Sequence, residues 1–165
     1  MSDLSQFLEL FNPLPGNHYI QVTTSMDETT EALYKLLKEK NGEFRIAYYC
    51  DEEMPEITEN YPDAKIQHVK KFGFAYRALP RDNDMVIYKD IFYKHEKQDL
   101  LLKTAYTTLA NTAEIIIMEK KGIMDIPSLI ERLGEAEYRA ANYIDVLPEY
   151  DLVMAKKMHM WGNGL

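Results

Sequence analysis

Apolar residues along the chain follow two alternating patterns. Short apolar runs typical of strands alternate with stretches in which apolar residues recur every three or four positions, as on one face of a helix. The runs predict strands over residues 19–24, 44–50, 65–69, 84–89, 114–119, 143–147 and 152–160. The helical spacing predicts helices over residues 4–11, 52–60, 102–109 and 126–133, and another after the first strand. Residues 72–77 are ambiguous between coil and one helical turn. Alternating strands and helices predict an α/β fold.

The chemistry of the strands predicts their order in the sheet. The fourth, fifth and seventh strands are continuously apolar, as expected of strands that helices cover on both faces, whereas polar residues in the third and sixth suit sheet edges. With right-handed crossovers, these features predict a three-layer sandwich around a mostly parallel seven-stranded sheet of order 3-2-1-4-5-7-6, with strand 7 antiparallel. Ligands of such sheets bind at the switch point, beyond the carboxyl ends of strands one and four.

Composition narrows the class of protein. The length of 165 residues and the 46% hydrophobic content predict one folded domain over residues 1–165, with residues 1–13 as an N-terminal helix that packs on it. The net charge of −8 disfavours bulk binding to nucleic acid but leaves a local basic patch open. The chain has a single cysteine, Cys50, and no secretion signal or apolar run of the ~20 residues that a bilayer requires. We therefore expect a cytoplasmic protein without membrane association.

Five segments occur in the order found in class I S-adenosylmethionine-dependent methyltransferases. They are residues 14–22, 79–90, 109–119, 135–138 and 150–157. From residue 14 onwards the chain resembles a divergent member of that family. The resemblance implies a methyltransferase-like Rossmann fold and, in an active protein, S-adenosylmethionine as the cofactor.

The chain departs from this family in its first motif. The family has an acidic residue in the first strand and then spaced glycines in the turn, and here those places hold Gln21, Thr23, Ser25 and Asp27. Glycine suits such a turn because it adopts positive φ and lets a ligand approach closely. The resemblance implies that Thr23 and Ser25 would face the cofactor. The spacing of Ser25 and Glu28 also predicts a capping box for the next helix.

Two other cofactor signatures of the family fall after the second and third strands. The resemblance implies that Asp51 or Glu52, at the end of the second strand, would bind the ribose hydroxyls. After the third strand, Lys70 and Lys71 stand where the family commonly has an acidic residue that reads the adenine amine. One of the three signatures is therefore retained.

Basic residues gather at the carboxyl ends of strands three, four and five. They are Lys70, Lys71, Lys89, Lys94, Lys120 and Lys121. On an acidic protein such a rim would attract a phosphate or carboxylate ligand or RNA ends, with Lys70, Lys71, Lys120 and Lys121 as the substrate-binding residues. The alternative is a solvated rim without a ligand.

The segment after the fourth strand carries the candidate catalytic residues. Asp90 could orient a nucleophile, Tyr93 could stack on a planar substrate, and His95 could move a proton near neutral pH. The alternatives are a helix-capping Asp90, a core Phe92 and a surface His95. No metal site is expected, because the histidines have no ligand-like spacing with one another or with Cys50.

These patterns support two functions of different classes. The first is a methyltransferase-fold protein with a degenerate cofactor motif that acts as a binding or regulatory module for an unknown small molecule or protein. The second is an active S-adenosylmethionine-dependent methyltransferase with an atypical cofactor loop. The final hairpin is a candidate contact for a homodimer.

Overall fold

The computed structural model describes residues 4–158. Its elements are α1 Ser5–Leu8, β1 His18–Thr23, α2 Glu28–Glu39, β2 Glu43–Tyr49, a 3₁₀ helix Glu56–Asn60, β3 Lys65–Val69, β4 Asn83–Lys89, α3 Gln98–Thr108, β5 Leu109–Lys120, α4 Ile126–Glu135, β6 Tyr138–Ile144 and β7 Tyr150–Lys157. The strands form one sheet of order β3-β2-β1-β4-β5-β7-β6. β7 is antiparallel to both of its neighbours, and the other pairs are parallel. The predicted order is confirmed.

Apolar cores lie on both faces of the sheet. In β4, the side chains of Val86 and Tyr88 face one core, and those of Met85 and Ile87 face the other. α2 covers the second core, whereas α3 and α4 cover the first. This arrangement explains the continuous apolar runs of the central strands, because strands covered on both faces have no solvent side. The result is a three-layer α/β sandwich of the methyltransferase type.

Several element boundaries differ from those predicted. β6 begins at Tyr138 rather than at residue 143, and Tyr150 opens β7 instead of belonging to the turn. Tyr138 is buried, and its hydroxyl donates to the Leu102 carbonyl at 2.8 Å, so tertiary packing holds a segment of weak strand pattern in the sheet. Leu109 begins β5 rather than ending a helix. The predicted strand residues 159–160 lie outside the described residues.

Two of the predicted helices are shorter in the structure. α1 has four residues rather than the predicted eight, although Phe7 and Phe11 are both buried against the core. The acidic segment forms only a 3₁₀ helix, Glu56–Asn60. No helix within residues 4–158 is long and apolar enough to cross a bilayer.

The crossover from β3 to β4, residues 70–82, contains no helix, so residues 72–77, which the sequence leaves ambiguous, belong to a coil. Side chains of the sheet hold this coil in place. The hydroxyl of Tyr49 donates to the Phe74 carbonyl at 2.6 Å. The amide side chain of Gln67 makes two 2.8 Å bonds with the backbone of Arg77. These bonds take the place of the backbone hydrogen bonds of the helix that crossovers commonly contain.

The edge strand β6 contains a β-bulge. The pairing of β6 with β7 shifts between Arg139 and Asn142, and Ala140 has a φ of 56°. A bulge of this kind bends the strand and interrupts the ladder of backbone hydrogen bonds.

Candidate functional site

The carboxyl ends of β1 and β4 form the switch point of the sheet. Thr23 and Lys89 are register partners there, and the helices that follow the two strands cover opposite faces. A cleft of about 260 Å³ opens beside them, with Asp27, Asp90 and Tyr150 among its lining residues. This volume lies below the roughly 300–1,000 Å³ of pockets that take drug-sized ligands.

The polar side chains of β1 and its turn bond within the protein. Gln21, which is fully buried, accepts from the Thr30 hydroxyl at 2.6 Å and donates to the Thr29 hydroxyl at 3.3 Å. The Thr23 hydroxyl donates to the Ser25 carbonyl at 2.8 Å and accepts from the Ser25 amide at 3.1 Å. In the place of the family's acidic residue, Gln21 therefore binds the start of α2, and in the place of the first glycine, Thr23 binds the turn itself.

Asp27 caps α2, so the predicted cap at Ser25 with Glu28 as its partner is wrong. The Asp27 carboxylate accepts from the Thr29 amide at 2.9 Å, and the Thr30 hydroxyl accepts from the Asp27 amide at 3.1 Å. The Asp27 carboxylate also accepts from the Thr30 amide, and this bond together with the bond from the Asp27 amide to the Thr30 hydroxyl forms a capping box. Ser25 lies too early in the chain for this role, because α2 begins at Glu28.

Lys89 places a buried positive charge beneath this turn. Its side chain is 0% exposed, and its ammonium lies 3.0 Å from the Ser25 hydroxyl, 3.0 Å from the Asp90 carboxylate and 3.2 Å from the Asp27 carboxylate. A buried charge requires compensation of this kind. The sequence predicts Lys89 on the basic rim, whereas in the structure its side chain is buried.

Asp90 joins the turn to the start of β7. Its carboxylate also accepts from the Tyr150 hydroxyl at 2.8 Å, and its carbonyl accepts from the Thr24 hydroxyl at 2.9 Å. Burial alone would raise the pKa of Asp90, but the Lys89 charge and the Tyr150 hydrogen bond hold it below its ordinary value. Burial and the Asp90 carboxylate raise the pKa of Tyr150. Tyr150 therefore donates a hydrogen bond to an ionised Asp90. Asp90 caps none of the described helices, in contrast to the helix-cap alternative.

Glu119 is a buried acid that sequence reasoning did not single out. It is 2% exposed on β5, and its Oε2 atom has no hydrogen-bond partner within residues 4–158. Burial, followed by repulsion from Asp90, raises its pKa to about 7. The sequence signal was its position directly after Ile115–Met118, an apolar run that continues into the core.

Tyr93 and His95 lie outside the cleft. His95 is 4% exposed, its Nδ1 accepts from the Lys97 amide at 2.8 Å, and its Nε2 donates to the Phe74 carbonyl at 2.9 Å. Both ring nitrogens therefore bind backbone, and His95 is not a surface residue. Tyr93 is partly buried against Phe92, which is in the core as one alternative predicted. Within residues 4–158, no three His, Cys, Asp or Glu side chains form a group that could hold a metal ion.

Asp51 and Glu52 are exposed in the segment after β2, and neither lines the cleft. Neither makes an ion pair with another described residue. Asp51 and Glu52 thus follow the strand that pairs with β1, at the same end of the sheet as Thr23, but outside the lining of the cleft.

The basic rim is divided into two parts. Lys70 and Lys71 follow the edge strand β3, whereas Lys120 ends β5 and Lys121 follows it, four strand spacings or about 19 Å away. Lys120 lines the cleft, and Lys121 lies 3.4 Å from the Asp145 carboxylate. The four lysines do not form one cluster.

The fold matches solved structures of methyltransferases. An S-adenosylmethionine-dependent methyltransferase from Aquifex aeolicus aligns with a TM-score of 0.75 and 13% identity, over 95% of this chain and 90% of that chain. A methyltransferase from Pyrococcus furiosus aligns with a TM-score of 0.63 and 16% identity, over 93% and 80%. Phosphoethanolamine N-methyltransferase 2 from Haemonchus contortus, in complex with S-adenosyl-L-methionine, aligns with a TM-score of 0.70 and 9% identity, over 94% of this chain and 52% of that chain.

No protein-family model matches the chain, and no curated protein is significantly similar to it in sequence. At identities of 9–16%, the shared property is the fold. The chain therefore has a class I methyltransferase-like fold.

Proposed function

We propose that this chain is a methyltransferase-fold protein that does not hold S-adenosylmethionine in the family's manner and acts as a binding or regulatory module. One observation carries the proposal: the buried Lys89 ammonium binds Ser25, Asp27 and Asp90 at the turn where the family's glycines would stand. The protein's own side chains use the polar groups that would otherwise face a ligand.

Sterics and charge both support this proposal. Thr23, Ser25 and Asp27 place Cβ atoms where the family uses glycine to let a ligand approach. S-adenosylmethionine carries a sulfonium and an ammonium group, both cationic. The Lys89 ammonium already binds both the Asp27 and the Asp90 carboxylate, so a cationic ligand would have to compete with Lys89 for these two groups. Both features support a switch point that does not hold the cofactor in the family's manner.

The alternative is an active S-adenosylmethionine-dependent methyltransferase with an atypical loop. Two observations favour it: the match to the Aquifex aeolicus enzyme covers 95% of the chain, and Asp51 and Glu52 are exposed after β2, where an acidic residue would bind ribose. In that case the ligand would have to approach without the glycine turn.

Cofactor binding distinguishes the two functions. We expect no heat of binding by calorimetry and no shift in Tm with millimolar S-adenosylmethionine or S-adenosylhomocysteine. A ligand at 100 times its Kd would stabilise the fold by about 2.7 kcal/mol, which a thermal shift assay detects. Saturable binding that Asp51→Ala or Glu52→Ala abolishes, and that the neighbouring Glu53→Ala leaves intact, would support the enzyme and contradict the module.

A further inference from the structure

The coil between β3 and β4 carries a strip of unpaired positive charge. Residues 70–81 contain four basic residues and no acidic one. We call these residues the basic strip: Lys70, Lys71, Arg77 and Arg81. All four are exposed, and none forms an ion pair with a carboxylate of residues 4–158. Elsewhere many cations are paired, as Lys38 is with Asp63 at 2.9 Å.

An aromatic side chain projects from the basic strip. Phe74 is 61% exposed and is flanked by the small residues Gly73 and Ala75, so its ring is not covered by its chain neighbours. Its carbonyl accepts hydrogen bonds from both Tyr49 and His95, at 2.6 and 2.9 Å. The ring therefore extends from a backbone position that two buried side chains fix.

The rest of the coil is held equally firmly. Gln67 binds the backbone of Arg77 through two hydrogen bonds, and the hydroxyl of buried Tyr76 lies 2.9 Å from that of Tyr88. Arg81 has a φ of 54°, a left-handed conformation that costs a non-glycine residue about 1–2 kcal/mol, and its amide donates to the Thr107 carbonyl at 3.0 Å. An exposed segment without helix or strand thus presents its cations from a fixed backbone.

We infer that the basic strip binds single-stranded nucleic acid, with Phe74 stacked on a base and the four cations on phosphates. Single-strand binding sites combine these two features, aromatic rings on which bases stack and a positively charged track for the backbone. An acidic peptide would share the charge complementarity. It fits less well because the exposed ring of Phe74 offers a stacking surface, which suits the planar face of a base and not a carboxylate side chain.

The net charge of −8 does not exclude such a local interaction. The Debye length is about 10 Å at 0.1 M ionic strength, so exposed carboxylates farther away than this are largely screened. The nearest acidic residue in sequence, Asp82, is compensated by Arg45 at 2.8 Å. In space, the Glu96 carboxylate lies beside Gly73, so one negative charge stands next to the four cations of the basic strip. The inference goes beyond the proposed function and does not depend on it, because none of the four residues of the basic strip lines the cleft.

The test is fluorescence anisotropy of the full chain with a labelled 12-nucleotide oligouridine between 50 and 200 mM KCl. We expect saturable binding whose log–log salt slope approaches about −2.8, since each of four phosphate contacts contributes about 0.7 on a single strand. Phe74→Ala, and Phe74→Leu as a second variant, should weaken binding about tenfold or more without changing the slope.

A charge-matched pair of variants tests the phosphate contacts. Lys70→Gln/Lys71→Gln should reduce the salt slope by about 1.4. Lys40→Gln/Lys103→Gln removes the same charge from exposed, unpaired lysines elsewhere and should leave Kd within about twofold. Because all of these side chains are exposed, we expect unchanged Tm values.

Three outcomes would overturn the inference. The first is no change in anisotropy at 100 µM protein, and the second is equal loss of binding in the two double variants. The third is displacement of the RNA by polyglutamate at equal charge with no effect of Phe74→Ala, which would indicate an acidic protein partner instead. Thermal shift with S-adenosylmethionine tests the proposed function separately, so failure of one is distinguishable from failure of the other.

Discussion

At the scale of single residues, Lys89 links the turn after β1 to the end of β4. Its ammonium satisfies two carboxylates from different elements, and Asp90 in turn accepts from Tyr150 of β7. Neither the position of Lys89 after an apolar run nor its spacing from Asp27 reveals this contact. The sequence places a lysine at the sheet rim, and only the tertiary structure shows that its side chain turns inward.

Removal of the Lys89 charge should destabilise the fold strongly. Lys89→Met leaves the Asp27 and Asp90 carboxylates without their buried counter-charge, and we expect a loss of about 3–5 kcal/mol in the free energy of unfolding measured by urea denaturation. The exposed control Lys40→Met should stay within about 0.5 kcal/mol. Adding Asp90→Asn to Lys89→Met should recover part of the loss. A loss below about 1 kcal/mol in the single variant would contradict this account of Lys89.

Glu119 should make stability fall as pH rises. Its pKa is raised from an ordinary 4.5 to about 7 in the folded state, so the folded protein holds the proton more tightly than the unfolded chain does. The stability that this proton supplies is fully present below pH 4.5 and is lost as pH rises through 7, up to about 3 kcal/mol.

Glu119→Gln should abolish this contribution and leave the variant more stable than wild type at pH 8. Urea denaturation at pH 5 and pH 8 gives the comparison, with the exposed Glu131→Gln as the matched control. Equal pH dependence of wild type and Glu119→Gln would show that Glu119 titrates in its ordinary range.

At the scale of elements, the sequence predicts what depends on local composition. The order of the strands follows from continuous apolar runs such as Ile115–Met118 and from the mixed composition of the edge strands. Strands that are buried on both faces are apolar throughout, whereas strands with a solvent-exposed face also contain polar residues. The start of β6 and the cap of α2 depend instead on distant partners. The Tyr138 hydroxyl donates to the carbonyl of Leu102 in α3, and the Ser25 hydroxyl accepts from the Lys89 ammonium.

The cap of α2 can be tested directly. Asp27→Ala removes both the capping carboxylate and one counter-charge of Lys89, so we expect a loss of at least about 1–2 kcal/mol by urea denaturation. Glu28→Ala alters the residue that the sequence pattern had paired with Ser25, and it should change stability by less than about 0.5 kcal/mol. A larger loss in the free energy of unfolding for Glu28→Ala than for Asp27→Ala would instead support the cap predicted at Ser25.

At the scale of the whole molecule, the sheet brings some predicted site residues together and separates others. Asp90 and Ser25 meet at the switch point, as the topology required, with a hydroxyl-to-carboxylate distance of 3.4 Å. Lys70 and Lys120 both lie at the carboxyl ends of strands, but their strands, β3 and β5, are four positions apart in the sheet. Sequence order predicts which rim a residue occupies, but its neighbours on that rim depend on side-chain direction, which no linear pattern records.

The bulge in β6 has a consequence for how copies of this protein meet. Ala140 adopts a φ of 56° where the pairing with β7 shifts, so the outermost strand turns away from a straight path midway along its length. If a second molecule added a strand to β6, the bulge would put the backbone amides and carbonyls of the two strands out of register after a few residues. Fibre-like stacking through this border is therefore disfavoured by the conformation of a single alanine.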